Sequence, residues 1–334
     1  GAAGSVFGAG IRGDGSLGER GDLGLSAGGE LRAGGQNVAA GRLGISAAAT
    51  DLGASQTQGG SIALAATGDI LAAGAVLRSA GAFAATARNL DNSQGRIEAG
   101  RLDVQVGGLD NRGGELIQTG GADARVAITS ATGSLDNRGG LIAVNGVNFS
   151  LSAPSLLNAG GRLLHAGSGN FGIDGASLSG AGGLIQGNGS LRLDAGSVVL
   201  DGADTIASRV QIGAADLSNR GGRIVHTGIE GMEIRAAGLF DNSGGSVAGN
   251  GDLHIAAGAL QNSAGSLRSG GGAGLEVSVA GLLDNRATGA ILAGGSARIA
   301  AGALANGGGQ LGAGQDLAVD VVGTLDNAGG TDRK

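Results

Sequence analysis

The sequence predicts an all-β protein, a parallel β-helix whose coils each hold about three short strands over about 21 residues. Two observations carry this prediction. A phrase of Leu, Asp, Asn, one or two variable residues, a Gly pair and an aliphatic residue returns along the chain, as at Leu90-Asp91-Asn92. Short runs of alternating apolar residues lie between its copies. A unit this short cannot bury an apolar face alone, so neighbouring units must cover one another.

The Asn of the phrase opens each repeat and sets its register. It recurs as a predicted structural ladder at Asn92, Asn111, Asn137, Asn158, Asn219, Asn242, Asn262, Asn285, Asn306 and Asn327. Gly180 and Gly202 are assigned to the same position in two intervening copies. Stacked coils would place these residues in one column, where amide side chains can hydrogen-bond from coil to coil. The alternative is that Asn only tolerates a left-handed corner.

Three strands per repeat follow in order. The first comes after the Gly pair, and the second is an alternating run such as Leu102/Val104/Val106. The third is the Leu-Asp-Asn phrase itself. Alternation over so few residues indicates short strands with one buried face. Gly, Asn and Asp between them suit tight corners, and with strands ~4.8 Å apart the stack predicts a rod roughly 75 Å long.

Composition narrows the possible functions. There are five Phe and no Trp or Tyr, so the usual stacking platforms for sugars and bases are scarce. A net charge of −6 with Lys334 as the single Lys disfavours a nucleic-acid partner. Because the chain has no Cys, it has neither disulfides nor thiolate metal ligands. No apolar run is long enough for a membrane span, so no membrane insertion is predicted.

The domain prediction is one β-helical repeat segment over 1–334, with degenerate coils in 1–50 and regular repeats in 51–330. The opening Gly1-Ala2-Ala3-Gly4-Ser5 has no features of a signal peptide. Both ends lie in mid-pattern without a polar cap, so we expect a fragment of a longer chain.

The phrase Leu-Asp-Asn-x-Gly-Gly-x-Ile, with its alternating Leu-x-Val run, resembles the repeats of filamentous haemagglutinins, the exoproteins of bacterial two-partner secretion. This resemblance covers about residues 50 to 330. It implies a right-handed β-helical shaft, export through an outer-membrane two-partner secretion transporter, and a place at the bacterial cell surface. It also implies adhesion to a host or bacterial receptor. A related possibility is the stalk of a contact-dependent growth inhibition toxin.

Two tripeptides spell the integrin-binding sequence: Arg12, Gly13, Asp14 and Arg20, Gly21, Asp22. An Arg and a carboxylate on a tight Gly turn can bridge a receptor's metal site. In a Gly-rich chain with charged corners the same letters also arise by chance, so both interpretations stay open.

The histidines do not predict a metal centre. His165 and His226 occupy one repeat position, seven residues after Asn158 and Asn219. That position predicts both imidazoles on one edge of the rod, about 14 Å apart, too far to share an ion. His254 lies at another position. We therefore expect structural or exposed roles for all three.

The carboxylates give two further hypotheses. Asp91, Asp110 and Asp136 should stack on consecutive coils, where they could collect Ca²⁺ or simply be solvated corner residues. A polysaccharide-active β-helix enzyme would need convergent carboxylates and aromatic subsites, and the sequence shows neither. We therefore predict no catalytic group, no cofactor and no enzyme activity.

Overall fold

Residues 6 to 329 are described by a computed structural model. These residues form 32 β-strands and no helix, so none of their segments is a candidate membrane-spanning helix. The strands are parallel and make about 15 turns of a β-solenoid with a spacing of ~20 residues, which confirms the predicted parallel β-helix. Its right-handed sense stays a prediction. The segment Gly1–Ser5, for which no signal peptide was expected, and Lys334 lie outside the described residues.

The chain divides into two compact units, Gly1–Gly172 and Ile173–Lys334, called unit 1 and unit 2 below. The strands of unit 1 are β1 (Val6–Ala9), β2 (Leu23–Ser26), β3 (Glu30–Arg32), β4 (Gln36–Ala39), β5 (Arg42–Ala47), β6 (Ala49–Asp51), β7 (Gln56–Gly59), β8 (Ser61–Ala66), β9 (Asp69–Leu71), β10 (Val76–Asp91), β11 (Arg96–Asp110), β12 (Glu115–Gln118), β13 (Ala124–Ile128), β14 (Ser134–Asp136), β15 (Leu141–Val144), β16 (Phe149–Ser152), β17 (Ser155–Leu157) and β18 (Arg162–His165).

The next strand, β19 (Asn170–Ser179), has most of its residues in unit 2. The remaining strands of unit 2 are β20 (Leu184–Val199), β21 (Asp204–Ser218), β22 (Arg223–His226), β23 (Met232–Asp241), β24 (Ser246–Gly249), β25 (Leu253–Gln261), β26 (Ser266–Ser269), β27 (Leu275–Asp284), β28 (Ala290–Ala293), β29 (Ala297–Ala305), β30 (Gln310–Ala313), β31 (Leu317–Val321) and β32 (Leu325–Asp326).

Each coil has three faces, and each face pairs in parallel with the same face of the next coil. Face A follows the Gly pair, face B holds the alternating apolar run, and face C ends at the next Asn. In unit 1, β10 and β11 pair Leu77 with Ile97 on face A and Leu90 with Leu109 on face C. In unit 2, β23 and β25 pair Ile234 with Ile255 on face B. Equivalent residues of successive repeats therefore form columns within each unit.

The three predicted strands are not always separate. In β10, β11, β20 and β21 they run on as one strand of 15 or 16 residues. The cause is visible at the first corner of β10, where the N–H of Gly81 donates to the carbonyl of Gly60 at 2.7 Å. Because such corners pair with the preceding coil, the hydrogen-bond ladder is not interrupted.

The core consists of the inward columns of all three faces. Leu, Ile and Val fill most positions with almost no exposed surface, as the alternation predicts. Four of the five Phe are also buried, namely Phe83, Phe149, Phe171 and Phe240. In unit 1 the rings of Phe149 and Phe171 stack with centroids 4.9 Å apart and planes 17° apart, an arrangement that adds to the apolar burial.

Candidate functional site

The candidate site begins at the turn that opens each coil. In the coil after Asn111, the N–H of Gly114 donates to the Asn111 carbonyl at 3.0 Å and closes a four-residue turn. Its third residue, Gly113, has φ of 59°, the left-handed value that a type II turn requires. None of the described Asn residues has positive φ. The hypothesis that Asn serves as the left-handed residue of the corner is therefore wrong.

The Gly pair has two separate causes. Its first member supplies the positive φ, a role that Gln94 and Ala264 also fill, with φ of 54° and 55°. Its second member lies against the preceding coil: a Cβ on Gly140 would stand 2.2 Å from the carbonyl oxygen of Asn111. The second Gly is required by the stacking of coils, whereas the first is required by the local turn.

The Asn side chains point inward and bond along the stack. Asn111, Asn137, Asn242 and Asn262 have no exposed surface. In unit 1 each Nδ2 donates to the next Oδ1 at 2.7 Å, in the order Asn92, Asn111, Asn137, Asn158. In unit 2 the same 2.7 Å contacts run through Asn219, Asn242, Asn262, Asn285, Asn306 and Asn327. These two sets are called the four-Asn run and the six-Asn run below.

Each run has a direction and an unpaired first acceptor. Within the described residues, the buried Oδ1 atoms of Asn92 and Asn219 lack a hydrogen-bond partner. The turn before Asn92 opens with Ala72, whose carbonyl accepts from Ala75 at 3.0 Å. Ala72 has no side-chain donor, so the first amide oxygen of the four-Asn run is left without one.

The assignment of Gly202 to the Asn position is wrong. Gly202 has φ of 62° and is the third residue of its turn, while the N–H of Ala203 donates to the carbonyl of Leu200 at 3.0 Å. Leu200 therefore opens this turn, two residues earlier than predicted. Gly180 does open its turn, since its carbonyl accepts from Gly183 at 2.9 Å. A Cβ on Gly180 would lie 3.4 Å from a Leu200 methyl, so the Leu side chain reaches toward the position that Asn fills elsewhere.

Where an Asp precedes the Asn, its carboxylate caps the turn. Asp136 Oδ1 accepts the N–H of Arg138 at 3.2 Å and its side chain at 2.9 Å, and Asp110 has the same contacts with Arg112. The side-chain hydrogen bond from each Arg lowers the pKa of its Asp, against the opposing effect of burial. Sequence reasoning missed this pairing, although an Arg two residues after the Asp was a visible signal.

These contacts bear on the calcium hypothesis. Between residues 6 and 329, no group of three or more His, Cys, Asp or Glu side chains is arranged to hold a metal ion. Asp91 also caps its turn, accepting the N–H of Ser93 at 2.9 Å. A shallow groove of about 300 Å³ runs past Asp69, Asp91, Asp110 and Asp136 on face C of unit 1. Its carboxylates accept hydrogen bonds from turn N–H groups and from Arg side chains.

The two Arg-Gly-Asp segments differ. Arg12-Gly13-Asp14 lies at the exposed tip of a loop closed by a bridge between Ile11 and Leu17. The Asp14 carboxylate accepts the N–H and hydroxyl of Ser16 at 2.9 and 2.7 Å, and these bonds lower its pKa.

The second segment, Arg20-Gly21-Asp22, is held by the fold. A Cβ on Gly21 would lie 2.4 Å from the backbone nitrogen of Gly10, so the two backbones touch. Asp22 Oδ1 accepts the backbone N–H of Arg42, one coil on, at 2.7 Å. Of the two tripeptides, only the first is presented at an exposed tip.

The histidines occupy two environments. His165 and His226 end equivalent face A strands, as their spacing predicts, but both are buried, with 2% and 1% exposure. This burial agrees with a structural role, one of the two roles expected for them, because the last position of a face A strand points into the core. His165 Nε2 bonds the carbonyl of Gly146 at 2.9 Å. His254 lies on the outer surface, 3.2 Å from Glu276.

Sequence reasoning also missed a buried polar group in unit 1. Asn37 and Thr57 point inward on face A, with Asn37 Nδ2 donating to Thr57 Oγ1 at 3.0 Å. Ser55, which belongs to the adjoining turn, bonds Thr57 at 3.1 Å. The signal that could have revealed them is a pair of polar residues at positions where other repeats have Leu or Ile.

Unit 2 carries a larger groove at the corner between faces B and C. Its volume is about 680 Å³, and Ala and Gly from successive coils form most of its lining. Asp194 and Arg235 are its charged members. Side chains this small expose mostly backbone and methyl groups, so the groove presents few groups able to perform acid–base chemistry.

Comparison with known proteins gives one family. The sequence model of the haemagglutinin repeat matches residues 129–171, 159–244, 233–287 and 274–334. No curated protein and no solved structure matches the chain. The four overlapping segments cover the last part of unit 1 and all of unit 2.

Proposed function

Because the chain belongs to the haemagglutinin repeat family, we propose that it is an elongated, non-enzymatic shaft segment of a secreted bacterial surface exoprotein and supports adhesion to host or bacterial cells. The observation that carries this proposal is the repetition of one coil design through both units. Proteins of this family are generally secreted surface proteins, and the family implies a two-partner secretion context. An outer-membrane two-partner secretion transporter and a cell-surface receptor are the partners of the proposal.

The mechanism is mechanical reach. Each coil adds one strand spacing of ~4.8 Å to the stack and buries its apolar columns against its neighbours. Stability of such a stack comes from contacts between adjacent coils, so length can grow without a larger core. In this mechanism the Asn runs hydrogen-bond neighbouring coils, and residues of the exposed turns contact the receptor.

Small-angle scattering and cell binding test the two parts of the proposal. We expect a distance distribution of an elongated particle, about 70 Å long from about 15 turns at ~4.8 Å each. Beads coated with the chain should retain cells, whereas beads coated with heat-unfolded chain should not. A compact globule would contradict the shaft, and equal retention by both beads would contradict specific adhesion.

The exposed turn is the proposed receptor contact, on the observation that Arg12-Gly13-Asp14 forms a loop tip. Asp14→Glu should lower cell retention by about tenfold, the effect of losing about 1.4 kcal/mol of binding free energy. Asp22→Glu is the matched control, because the Asp22 carboxylate bonds Arg42 within the fold. Equal retention by the wild type and Asp14→Glu would remove this contact from the proposal.

Two alternatives have distinct signatures. A toxin stalk would share this shaft, so it is distinguished by the parent sequence after Lys334: a compact, non-repetitive domain with clustered His, Lys and carboxylates indicates toxin delivery. A polysaccharide-active β-helix would release new reducing ends from acidic polysaccharides, and their appearance would overturn the non-enzymatic proposal.

A further inference from the structure

One buried titratable group of unit 2 lacks the contacts that its counterparts have. His226 is the last residue of β22 and is 1% exposed. Within residues 6–329, neither of its ring nitrogens has a hydrogen-bond partner. A buried polar atom without a partner costs about 1–3 kcal/mol. The neutral ring already carries this cost, and protonation would add the cost of a buried charge.

The counterparts in unit 1 show how this position is normally satisfied. Gln118 ends β12 and pairs with Val144, which in turn pairs with His165. Gln118 Oε1 accepts the N–H of Leu102 at 2.7 Å, and its Nε2 donates to the carbonyl of Gly120 at 3.1 Å. His165 bonds the carbonyl of Gly146. In both cases the side chain hydrogen-bonds the backbone at the corner between faces A and B. His226 makes no such bond.

The corner beside His226 is residues 227 to 231. A Cβ on Gly228 would stand 3.6 Å from His226 Nε2, so the corner backbone packs against the ring. Two backbone bonds hold the corner to the preceding coil, from Thr227 to Ala207 at 2.9 Å and from Gly228 to Ser208 at 3.0 Å. At its tip, Ile229 is 89% exposed.

Three charged groups surround this corner. Arg209 of the preceding coil pairs with Glu230 of the corner itself at 3.3 Å. Asp252 of the following coil accepts the N–H of Gly274 at 2.7 Å, so its carboxylate is bound to the coil after its own. A charged His226 would be attracted by Glu230 and repelled by Arg209, and Glu230 is already paired with Arg209.

We propose that His226 makes this corner an acid-sensitive point of unit 2: the neutral imidazole keeps residues 227 to 231 closed, and protonation opens them. Burial is the main cause that lowers the pKa of His226, while the nearby backbone of Gly228 and Glu230 acts in the opposite direction without completing a hydrogen bond. An open corner exposes the ring and restores its ordinary pKa, about 6.5. The closed corner is thus fully favoured above that pH. Its stability relative to the open corner decreases as the pH falls toward the lowered pKa of the buried ring.

Hydrogen exchange of the intact chain tests the proposal. After correction for intrinsic rates, exchange in 227–231 should rise between pH 7.5 and pH 5, by about tenfold for each unit by which the pKa differs between the closed and open forms. His226→Gln should abolish this rise, because Gln does not titrate and can bond the corner as Gln118 does. His165→Gln is the matched control and should leave the rise at 227–231 unchanged. An equal rise in the wild type and His226→Gln, or no rise in the wild type, overturns the proposal.

A second measurement needs no variant of His226. The chain has three His, so NMR of histidine-labelled protein gives three imidazole signals, assigned with His165→Gln and His254→Gln. The His226 signal should titrate below the ordinary imidazole pKa of about 6.5 and in step with exchange at the corner. A His226 titration at or above about pH 6.5 would overturn the proposal.

Discussion

Unit 1 and unit 2 build the same turn with different residues at its first position. In unit 1 the turns open with Leu52 and Ala72 before the four-Asn run begins, and in unit 2 they open with Gly180 and Leu200 before the six-Asn run. All four turns close with the same backbone hydrogen bond, between 2.8 and 3.0 Å. The backbone turn therefore does not need Asn. Turns that open with Asn close with the same backbone hydrogen bond and add side-chain bonds to the next coil. Asn therefore acts through its side chain, between coils.

Substitution in the middle of a run should have the largest effect. Asn262→Ala should destabilise unit 2 by about 3 kcal/mol. It leaves the Oδ1 of Asn285 buried without a donor, and the Nδ2 of Asn242 keeps only its longer bonds to the carbonyls of Gly245 and Ser266, at 3.3 and 3.4 Å. Asn92→Ala should cost unit 1 far less, because the Oδ1 of Asn92 is already unpaired. Native-state hydrogen exchange, read segment by segment, measures both. Equal losses at the two sites would mean that the runs do not stabilise the stack.

The Gly pair separates local from inter-coil causes. Gly140→Ala should destabilise unit 1 by about 3 kcal/mol, because overpacking against the Asn111 carbonyl forces the backbone to shift. Gly139→Ala is the matched control and should cost about 1 kcal/mol, the price of positive φ alone, since nothing lies within 4 Å of its added Cβ. Denaturant unfolding followed in both variants gives the order. A larger loss at Gly139 would mean that the turn, and not the stacking, requires the pair.

Adding an Asn at the start of each run should have opposite effects at the two sites. Leu200→Asn should destabilise unit 2 by about 1 kcal/mol, because loss of a fully buried Leu costs about 2 kcal/mol and a new bond to the unpaired Oδ1 of Asn219 offsets about 1 kcal/mol of it. Ala72→Asn should stabilise unit 1 by about 1 kcal/mol, as its Nδ2 can donate to the unpaired Oδ1 of Asn92. Exchange protection of the flanking strands reports the sign at each site. Destabilisation by Ala72→Asn would show that the Asn position depends on more than the next acceptor.

The smallest effect concerns the Asp caps outside the columns. Asp136→Asn should cost about 0.5 kcal/mol at neutral pH, because Asn keeps the bond to the Arg138 backbone and loses an ion pair with a half-exposed partner. Hydrogen bonding from Arg138 lowers the pKa of Asp136. Its stabilisation is therefore present above roughly pH 4 and is lost as the pH falls through the lowered pKa. Between pH 3 and pH 7 the free energy of unfolding should change less for the variant than for the wild type. An equal change in both would mean that the charge of Asp136 does not stabilise the turn.

Much of the fold was predictable because it rests on local patterns. Alternation such as Leu102/Val104/Val106 placed the face B strands, and the returning Asn gave the coil length. The column residues of the four-Asn run were also visible, since identical residues at a regular spacing must stack once the coil is known. The prediction failed at Gly202, where two Gly-containing turns look alike in sequence and only the hydrogen bond to Leu200 distinguishes their registers.

The repeat, its strands and most residues of its columns follow from short-range periodicity in the sequence, and the left-handed residue of each turn is a local property of that turn. The packing of coils shows why the second Gly is obligatory and which polar groups are buried. Those two properties depend on atoms about 20 residues away in the chain that lie one coil away in space. His226 shows the same division: its spacing placed it at a repeat position, and only the packing of the adjacent corner left its ring nitrogens without partners.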